Sequence, residues 1–152
     1  MGLVTSEIEV GADTLTTFRT AIKIEQYPEW MPSVKSVKVL ERRDDGYAKI
    51  AWVAIAKVAS INKEVKWTEE AWWDEKTLSC HFELLEGDYT HYKGSWEFTP
   101  VEGGTKIRLS TDYDLGLPLV GPLIGKLLDK IMRDNLDGML KAIKERAEEP
   151  KS

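Results

Sequence analysis

The sequence predicts an α+β fold in which a curved, seven-stranded antiparallel sheet wraps around one long C-terminal helix. Three features lead to this prediction. The first is an amphipathic run from residue 119 to residue 147, and the second is a series of six strand-like segments between residues 34 and 115. The third is a strand-like segment at residues 3–10, which is free to pair with one edge of the sheet.

The terminal run has the apolar spacing of a long amphipathic helix. Large apolar residues recur every three to four positions from Leu119 to Ile143, and charged residues occupy the opposite face. Pro118 and Pro122 suit the start of the helix, where the first backbone N–H groups lack intrahelical partners. An apolar stripe of this length must pack against a wide surface, which the strands supply.

The N-terminal part predicts a strand followed by two short helices. Apolar and polar residues alternate over residues 3–10, as they do in a half-buried strand. Asp13 is placed to cap the first short helix. A second helical piece around residues 25–30 is stopped by Pro32, which cannot continue a helix.

The middle of the chain predicts an antiparallel meander, because short turn signals separate successive strand-like segments. The element order is therefore β-α-α-β6-α. The six segments are Val34–Arg43, Tyr47–Val58, Ile61–Trp72, Thr77–Leu85, Thr90–Thr99 and Thr105–Leu115.

Composition limits the possible classes of protein. We expect one domain over residues 1–148 and a disordered tail at 149–152, because no linker interrupts the pattern. The formal charge of −5 argues against nucleic acid as a partner, because phosphate binding needs a basic face. Cys80 is the single cysteine, and the sequence shows neither a signal segment nor an apolar run of transmembrane length, so we expect a cytoplasmic location. No motif for a nucleotide or metal cofactor is present, and none is expected.

Alternation within the strands predicts which side chains face the helix. The inward set combines large rings, such as Trp52, with small residues, such as Ala54, and it also carries hydroxyl groups. A dry core favours aliphatic side chains, whereas a binding cavity is mostly apolar with a few placed polar groups. Two interpretations stay open at this point. One is a ligand cavity, and the other is a filled core in which the rings cover the small residues.

Residues with catalytic or metal-binding chemistry are few. His81 and His91 fall on outward faces without ligand neighbours at metal spacing, so we predict exposed side chains and no metal site. Cys80 is predicted to be inert packing, because no general base lies beside it. Glu69 has two interpretations: an exposed rim carboxylate paired with lysine, or, if it shares the parity of Trp67, a base at the rim of a cavity.

The entrance to the terminal helix is strongly apolar. Between Leu115 and Leu128 the single charged residue is Lys126, and glycines and prolines interrupt the segment. We expect Leu117–Leu128 to act as a mobile lid over a cavity mouth, or to make transient contact with a membrane or a protein. The simpler alternative is that neighbouring loops cover this segment.

Four short motifs follow one another along the chain. They are Tyr27–Val34 (YPEWMPSV), Gly94–Pro100 (GSWEFTP), Gly103–Lys106 (GGTK) and the pair Asn135-Leu136 in the terminal helix. Together they resemble the bacterial polyketide cyclase/dehydrase branch of the START-like (SRPBCC) superfamily, whose members include coenzyme-Q-binding proteins and the ribosome association toxin. The resemblance implies a helix-grip fold, as in START and Bet v 1-like proteins, with a deep apolar cavity between the sheet and the C-terminal helix.

We therefore predict that the protein binds or carries a small hydrophobic ligand, such as a lipid, an isoprenoid quinone or a polyketide-like aromatic molecule. Two alternatives stay open: a cyclase or dehydratase acting on a polyketide-like substrate, and an interaction module resembling the ribosome association toxin. Catalysis is less favoured than binding, because the inward set offers no histidine and no paired carboxylates. The predicted ligand-binding residues are Trp52, Ala54, Trp67, Phe82, Tyr92, Trp96, Thr111, Tyr113, Leu123, Leu127 and Ile131.

Overall fold

A computed structural model describes residues 2–58, 61–115 and 122–149, and within these ranges it shows the predicted sheet and helices. The strands are β1 (Gly2–Val10), β2 (Val34–Arg42), β3 (Tyr47–Val58), β4 (Ile61–Asp74), β5 (Ser79–Gly87), β6 (His91–Val101) and β7 (Gly104–Asp114). The helices are α1 (Thr14–Ala21), α2 (Tyr27–Trp30) and α3 (Pro122–Ala147), and a 3-10 turn at Ile24–Gln26 precedes α2.

All seven strands form one antiparallel sheet in the order β1-β7-β6-β5-β4-β3-β2. Strands β2 to β7 follow one another as a meander, and β3 pairs with β4 along its full length, from Tyr47 opposite Trp72 to Val58 opposite Ile61. The N-terminal strand β1 pairs with β7 and closes one edge of the sheet. The predicted α+β fold and its element order are confirmed.

Several strand boundaries differ from the prediction by one or two residues, and two of these differences arise at one turn. Strand β4 continues to Asp74 and carries Trp73 onto the inner face, whereas β5 begins at Ser79. The Asp74 carboxylate accepts a hydrogen bond from the backbone N–H of Lys76 at 2.9 Å. This bond stabilises a turn, and β5 therefore begins two residues later than predicted. The predicted helical residues 119–121 lie outside the described residues.

Helix α1 is capped as predicted, because the Asp13 side chain accepts the backbone N–H of Thr16 at 3.0 Å. Phe18 on its inner face is fully buried and makes edge-to-face contacts with two rings of the sheet. Its ring centroid lies 5.3 Å from that of Phe98 and 5.8 Å from that of Trp73. These contacts fix α1 against one end of the sheet.

Helix α3 covers the inner face of the sheet and is attached most firmly at its C-terminal half. Leu136, Leu140 and Ile143 are buried on one side of this half. Lys144 Nζ donates to the backbone oxygen of Glu9 at 3.0 Å, which ties the helix to β1. The predicted disordered tail, 149–152, lies outside the described residues except for Glu149. No helix in the described part of the chain is long and apolar enough to cross a membrane.

Gly94 lies where the backbone of one strand and the ring of Phe82 on the next lie close together. A Cβ atom at this position would lie 2.0 Å from the backbone oxygen of Ser110 and 2.5 Å from the Phe82 ring. The aromatic ring therefore occupies the space that a side chain at residue 94 would need. Only glycine leaves that space to Phe82.

Replacing this glycine tests the close packing of the inner face. Gly94→Ala is expected to lower the free energy of unfolding by at least about 2 kcal/mol, because the new methyl group overpacks the sheet. Gly138→Ala is the matched control, since a Cβ there meets no atom within 4 Å. The control should raise the free energy of unfolding by about 0.5–1 kcal/mol, as alanine does in an open helix position. Urea titrations that show equal effects for the two variants would contradict this packing.

Candidate functional site

A cavity lies between the inner face of the sheet and α3, and we call it the main cavity. Its volume is about 60 Å³, and eight of the side chains around it are aromatic. Seven of the predicted ligand-binding residues line it: Trp52, Ala54, Trp67, Phe82, Tyr92, Trp96 and Thr111. The volume suits a few water molecules. The cavity is therefore much smaller than the deep one that the family resemblance implied.

A second space of about 40 Å³, the side cavity, adjoins the main cavity. Tyr113 and Ile131, two further predicted residues, line this side cavity. Tyr89 and Met132 line both cavities, so movable side chains contribute to the boundary between the two. A change of rotamer at Met132 requires no backbone movement, because methionine is long and unbranched. The two cavities are thus placed to merge.

Two of the predicted residues lie elsewhere. Leu123 and Leu127 on α3 are 82% and 45% exposed, and neither lines the main cavity or the side cavity. The apolar stripe of α3 extends beyond the turns that the sheet covers, and the periodicity of a stripe carries no information on that limit. Their exposure with that of Ile124, 51%, leaves an apolar surface at the start of the helix. Residues 117–121 of the predicted lid or contact segment lie outside the described residues.

Aromatic rings of the cavity wall contact one another. Trp52 and Trp67 stack with their planes 10° apart and their centroids at 5.8 Å. Tyr92 lies against Trp67 at 5.2 Å, against Phe82 at 5.4 Å and against Tyr89 at 4.7 Å. Such ring pairs contribute about 0.5–1.5 kcal/mol each beyond the area that they bury. These rings therefore form one connected network of aromatic contacts in the wall.

Three polar atoms of the cavity lining have no hydrogen-bond partner among the described residues. They are the indole nitrogens of Trp52 and Trp73 and the hydroxyl oxygen of Thr111. An unsatisfied buried polar group costs about 1–3 kcal/mol, so native proteins carry few of them. All three atoms are buried and belong to side chains that line one cavity, an arrangement that a bound polar atom could satisfy.

Glu69 is the chemically most informative residue of the site. Its side chain is only 4% exposed and lies in the lining of the main cavity. The interpretation as an exposed carboxylate paired with lysine is wrong, and the parity with Trp67 is confirmed. Trp67 Nε1–H donates to Glu69 Oε1 at 3.1 Å. The indole of Trp52 also favours the charged carboxylate, although its N–H falls short of hydrogen-bond geometry.

A break in strand pairing lies directly beside Glu69. Thr68 pairs with Glu86, whereas Glu69 pairs with Leu84, so Leu85 is an extra residue in β5. Bulges of this kind bend a strand and are frequent next to functional sites, where they redirect side chains. Gly87 follows the bulge with φ +136°, a conformation that glycine adopts readily, and its backbone passes close beneath Trp67.

Burial raises the pKa of Glu69 from its ordinary value of 4.5 to about 8, and the indole N–H groups offset only part of this effect. Among the described residues, no lysine, arginine or histidine lines the main cavity to balance the charge. A carboxyl group with this pKa is mostly protonated at neutral pH. It can then donate a hydrogen bond as well as accept one.

The thiol of Cys80 and the hydroxyl of Tyr113 favour their neutral forms. Burial raises the pKa of the Cys80 thiol, which fits the predicted inert role. Burial also raises the pKa of Tyr113, whose hydroxyl donates to Asp129 Oδ1 at 2.7 Å and links β7 to α3. His81 and His91 are exposed as predicted. Within the described ranges, no three potential metal ligands lie close enough to hold an ion.

Sequence periodicity missed some of the lining residues. Trp73 has the parity of Trp67, but the predicted strand ended one residue too early for it to count as inward-facing. Tyr89 belongs to the β5–β6 turn and Tyr27 to α2, so neither follows an alternating strand pattern. Parity could have identified Trp73, whereas a residue in a turn gives no periodic signal.

The raised pKa makes protein stability depend on pH at Glu69. The unfolded chain loses this proton near the ordinary pKa of 4.5, and the folded chain loses it near 8. Protonated Glu69 therefore makes its full contribution to the free energy of unfolding below about pH 4.5. This contribution is lost as the pH rises toward about 8. The side chain of Glu69→Gln stays neutral at every pH. Between about pH 4.5 and pH 8, the free energy of unfolding of this variant should therefore rise by about 3–5 kcal/mol relative to that of the unaltered protein.

Urea titrations at several pH values measure this difference. Glu83→Gln is the control, because Glu83 is exposed on the outer face of the neighbouring strand β5. A stability difference between Glu69→Gln and the unaltered protein that stays constant with pH would show that Glu69 titrates normally.

Comparison with known proteins agrees with the observed fold. Residues 11–140 match the family described as polyketide cyclase / dehydrase and lipid transport. Among solved structures, TTHA0849 from Thermus thermophilus is similar, with a TM-score of 0.86 at 32% sequence identity over 95% of this chain and 96% of the other. The comparison with curated proteins found no match.

Two further solved structures share the fold at lower identity. The ZhuI aromatase/cyclase from Streptomyces sp. R1128 has a TM-score of 0.83 at 19% identity, with 96% of this chain and 93% of that chain covered. A START superfamily protein from Mycobacterium smegmatis has a TM-score of 0.79 at 21% identity, with 97% and 98% covered. The fold is thus the helix-grip fold, which the START superfamily structure shares. The chain belongs to the polyketide cyclase/dehydrase and lipid-transport family.

Proposed function

We propose that the protein binds and carries a small, mostly aromatic or otherwise apolar molecule in the main cavity. The observation that carries this proposal is the aromatic lining, which holds unpaired polar atoms on Trp52, Trp73 and Thr111. A core that served packing alone would gain nothing from these unsatisfied groups. A ligand with an apolar body and a polar group satisfies both features of the lining.

Apolar contact supplies most of the affinity in this proposal. A ligand that buries about 200 Å² of apolar surface gains roughly 5 kcal/mol at about 25 cal/mol per Å². The loss of translational and rotational freedom offsets part of that gain, so the placed polar groups decide which ligand binds well. Selectivity then depends on a few residues, although many line the cavity.

Binding requires the cavity to enlarge, because pockets for drug-sized ligands measure about 300–1,000 Å³. Movement of Met132 would join the main cavity to the side cavity through the boundary that the two share. Further room would come from displacement of the first turns of α3. Tyr113 and Asp129 link these turns to β7 through a side-chain hydrogen bond of 2.7 Å.

The relatives support a binding role of this kind. The description of the matched family includes lipid transport beside cyclase and dehydrase activity. One structural neighbour is an aromatase/cyclase, and another is described as a member of the START superfamily. Membership of this family fits both a carrier and an enzyme, because one fold serves many functions.

Filling the cavity should abolish binding. Ala54 lines both cavities, so Ala54→Trp is expected to occupy the space of a ligand. Organic extracts of the purified protein, analysed by mass spectrometry, should contain a stoichiometric apolar compound that is absent from the variant. Ala51→Trp is the matched control, because residue 51 lies on the opposite face of the same strand. An equal yield of the compound from both variants would contradict a site in this cavity.

Glu69 favours a second candidate function, a cyclase or dehydratase. Its pKa of about 8 lies near neutral pH, where a group can act as acid and then as base. In a dehydration, the carboxyl protonates the leaving hydroxyl group, and the C–O bond breaks to release water. The carboxylate then takes the proton from the carbon next to the carbonyl, which forms the double bond and restores the acid.

This candidate is tested with the aldol adduct of benzaldehyde and acetone, whose dehydration gives an enone that absorbs in the ultraviolet. An enzyme should form the enone, and Glu69→Gln should slow turnover by about 100-fold or more while binding is kept. Glu83→Gln should leave the rate unchanged. Absence of turnover by the unaltered protein, with binding intact, would leave the carrier role as the one supported.

A further inference from the structure

We propose that Glu69 determines ligand specificity, so that the main cavity takes neutral molecules with a hydrogen-bond-accepting oxygen, such as a carbonyl, and rejects carboxylates. This inference rests on the proposed binding function and adds the chemical class of the ligand. Its basis is the set of polar groups in the lining. The indole N–H groups of Trp52 and Trp73 belong to side chains of the same lining as Glu69, and neither makes a hydrogen bond among the described residues. The Trp52 indole also interacts with the Glu69 carboxylate.

The unpaired groups require an acceptor. An indole N–H only donates hydrogen bonds, so a ligand must bring an oxygen or nitrogen lone pair to satisfy it. The Thr111 hydroxyl can donate or accept a hydrogen bond, so it is also compatible with a ligand that only accepts hydrogen bonds. A pure hydrocarbon would leave all these groups unsatisfied. An ammonium group could pair with the Glu69 carboxylate, but it offers nothing to the indoles of Trp52 and Trp73.

Anionic ligands meet a different obstacle. Among the residues that the structure describes, the lining holds no basic side chain. A carboxylate or phosphate headgroup would enter a low-dielectric space without a counter-charge and would lie close to Glu69. Burial of an unpaired charge is strongly unfavourable. Free fatty acids and similar anions are therefore poor ligands for this site, although their chains are apolar.

The protonation state of Glu69 also favours a ligand that accepts a hydrogen bond. With its pKa raised to about 8 by burial, the carboxyl group is an O–H donor at neutral pH. The lining residues of α3 and β3 are uncharged, and the other titratable groups that face it are acids whose pKa values are raised by burial. These are Tyr27 of α2, Cys80 of β5, Tyr92 of β6 and Tyr89 of the β5–β6 turn. Glu69 is thus the group of this lining that ionises between about pH 6 and pH 9.

Four ligands of matched shape test the inference: acetophenone, ethylbenzene, benzoate and benzylamine. Binding is followed by proton–nitrogen NMR, because the indole N–H signals of Trp52 and Trp73 report hydrogen bonding directly. At about pH 6.5 acetophenone should bind roughly tenfold more tightly than ethylbenzene, the effect of about one good hydrogen bond. Benzoate and benzylamine should bind at least about tenfold more weakly than acetophenone.

The pH dependence gives a second readout in the unaltered protein. Affinity for acetophenone should stay constant up to about pH 7 and fall above about pH 8, because ionised Glu69 no longer donates. Glu69→Gln should keep the preference for acetophenone and lose the pH dependence, since its amide N–H still donates. The exposed-residue control Glu83→Gln should behave as the unaltered protein does.

Each contrary result has one meaning. If ethylbenzene binds as tightly as acetophenone, the binding function stands and the proposed specificity is wrong. Tightest binding of benzylamine, with affinity that rises with pH, would make the site a cation site. Tightest binding of benzoate would show that a counter-charge reaches the cavity. If none of the four ligands binds, the proposed binding function itself fails.

Discussion

The constraint on which this structure depends is the coverage of a wide sheet by one narrow helix. Seven strands spaced about 4.8 Å apart span about 29 Å, whereas a helix with its side chains is about 10 Å across. Curvature narrows the sheet but leaves flanking space that helix α3 cannot fill. Large rings fill most of that space, and the main cavity is the part that remains between them.

The space beside helix α3 also holds a buried carboxyl group, that of Glu69. Glu69 lies on the inner face because strand β4 alternates regularly from Trp67 to Trp73. Its burial without a basic partner is tolerated because the group takes up a proton and becomes neutral. Neutral Glu69, two unpaired indoles and a wall of rings form a site with many donors in an apolar setting. The function that we propose follows from this combination.

Sequence periodicity predicted the parts of the site that lie within regular strands. The two-residue period correctly placed Trp52, Trp67, Trp96 and Thr111 on the inner face, because alternation is a property of every strand. It could not predict Tyr89, which lies in a turn. Nor could the helical period show that Leu123 and Leu127 lie beyond the part of α3 that the sheet covers. Coverage depends on tertiary packing, which a local pattern does not contain.

Glu69 shows the limit of reasoning from residue type. Parity indicated the inner face, whereas the cost of burying a charge favoured an exposed carboxylate. The conflict disappears once the pKa is allowed to change, but that change depends on an environment that only the folded structure supplies. The size of the cavity could not be predicted from the sequence either. It depends on how completely the rings fill the space beside α3, and only the folded structure shows this.

The most direct test of this account is a carbon NMR titration of the Glu69 carboxyl group in protein with labelled glutamate, with Glu69→Gln used to assign the signal. We expect a midpoint near pH 8, far from the ordinary value of 4.5. A midpoint near that ordinary value would show an ionised and solvated carboxylate. It would contradict both the burial of Glu69 in the aromatic cavity and the specificity derived from it.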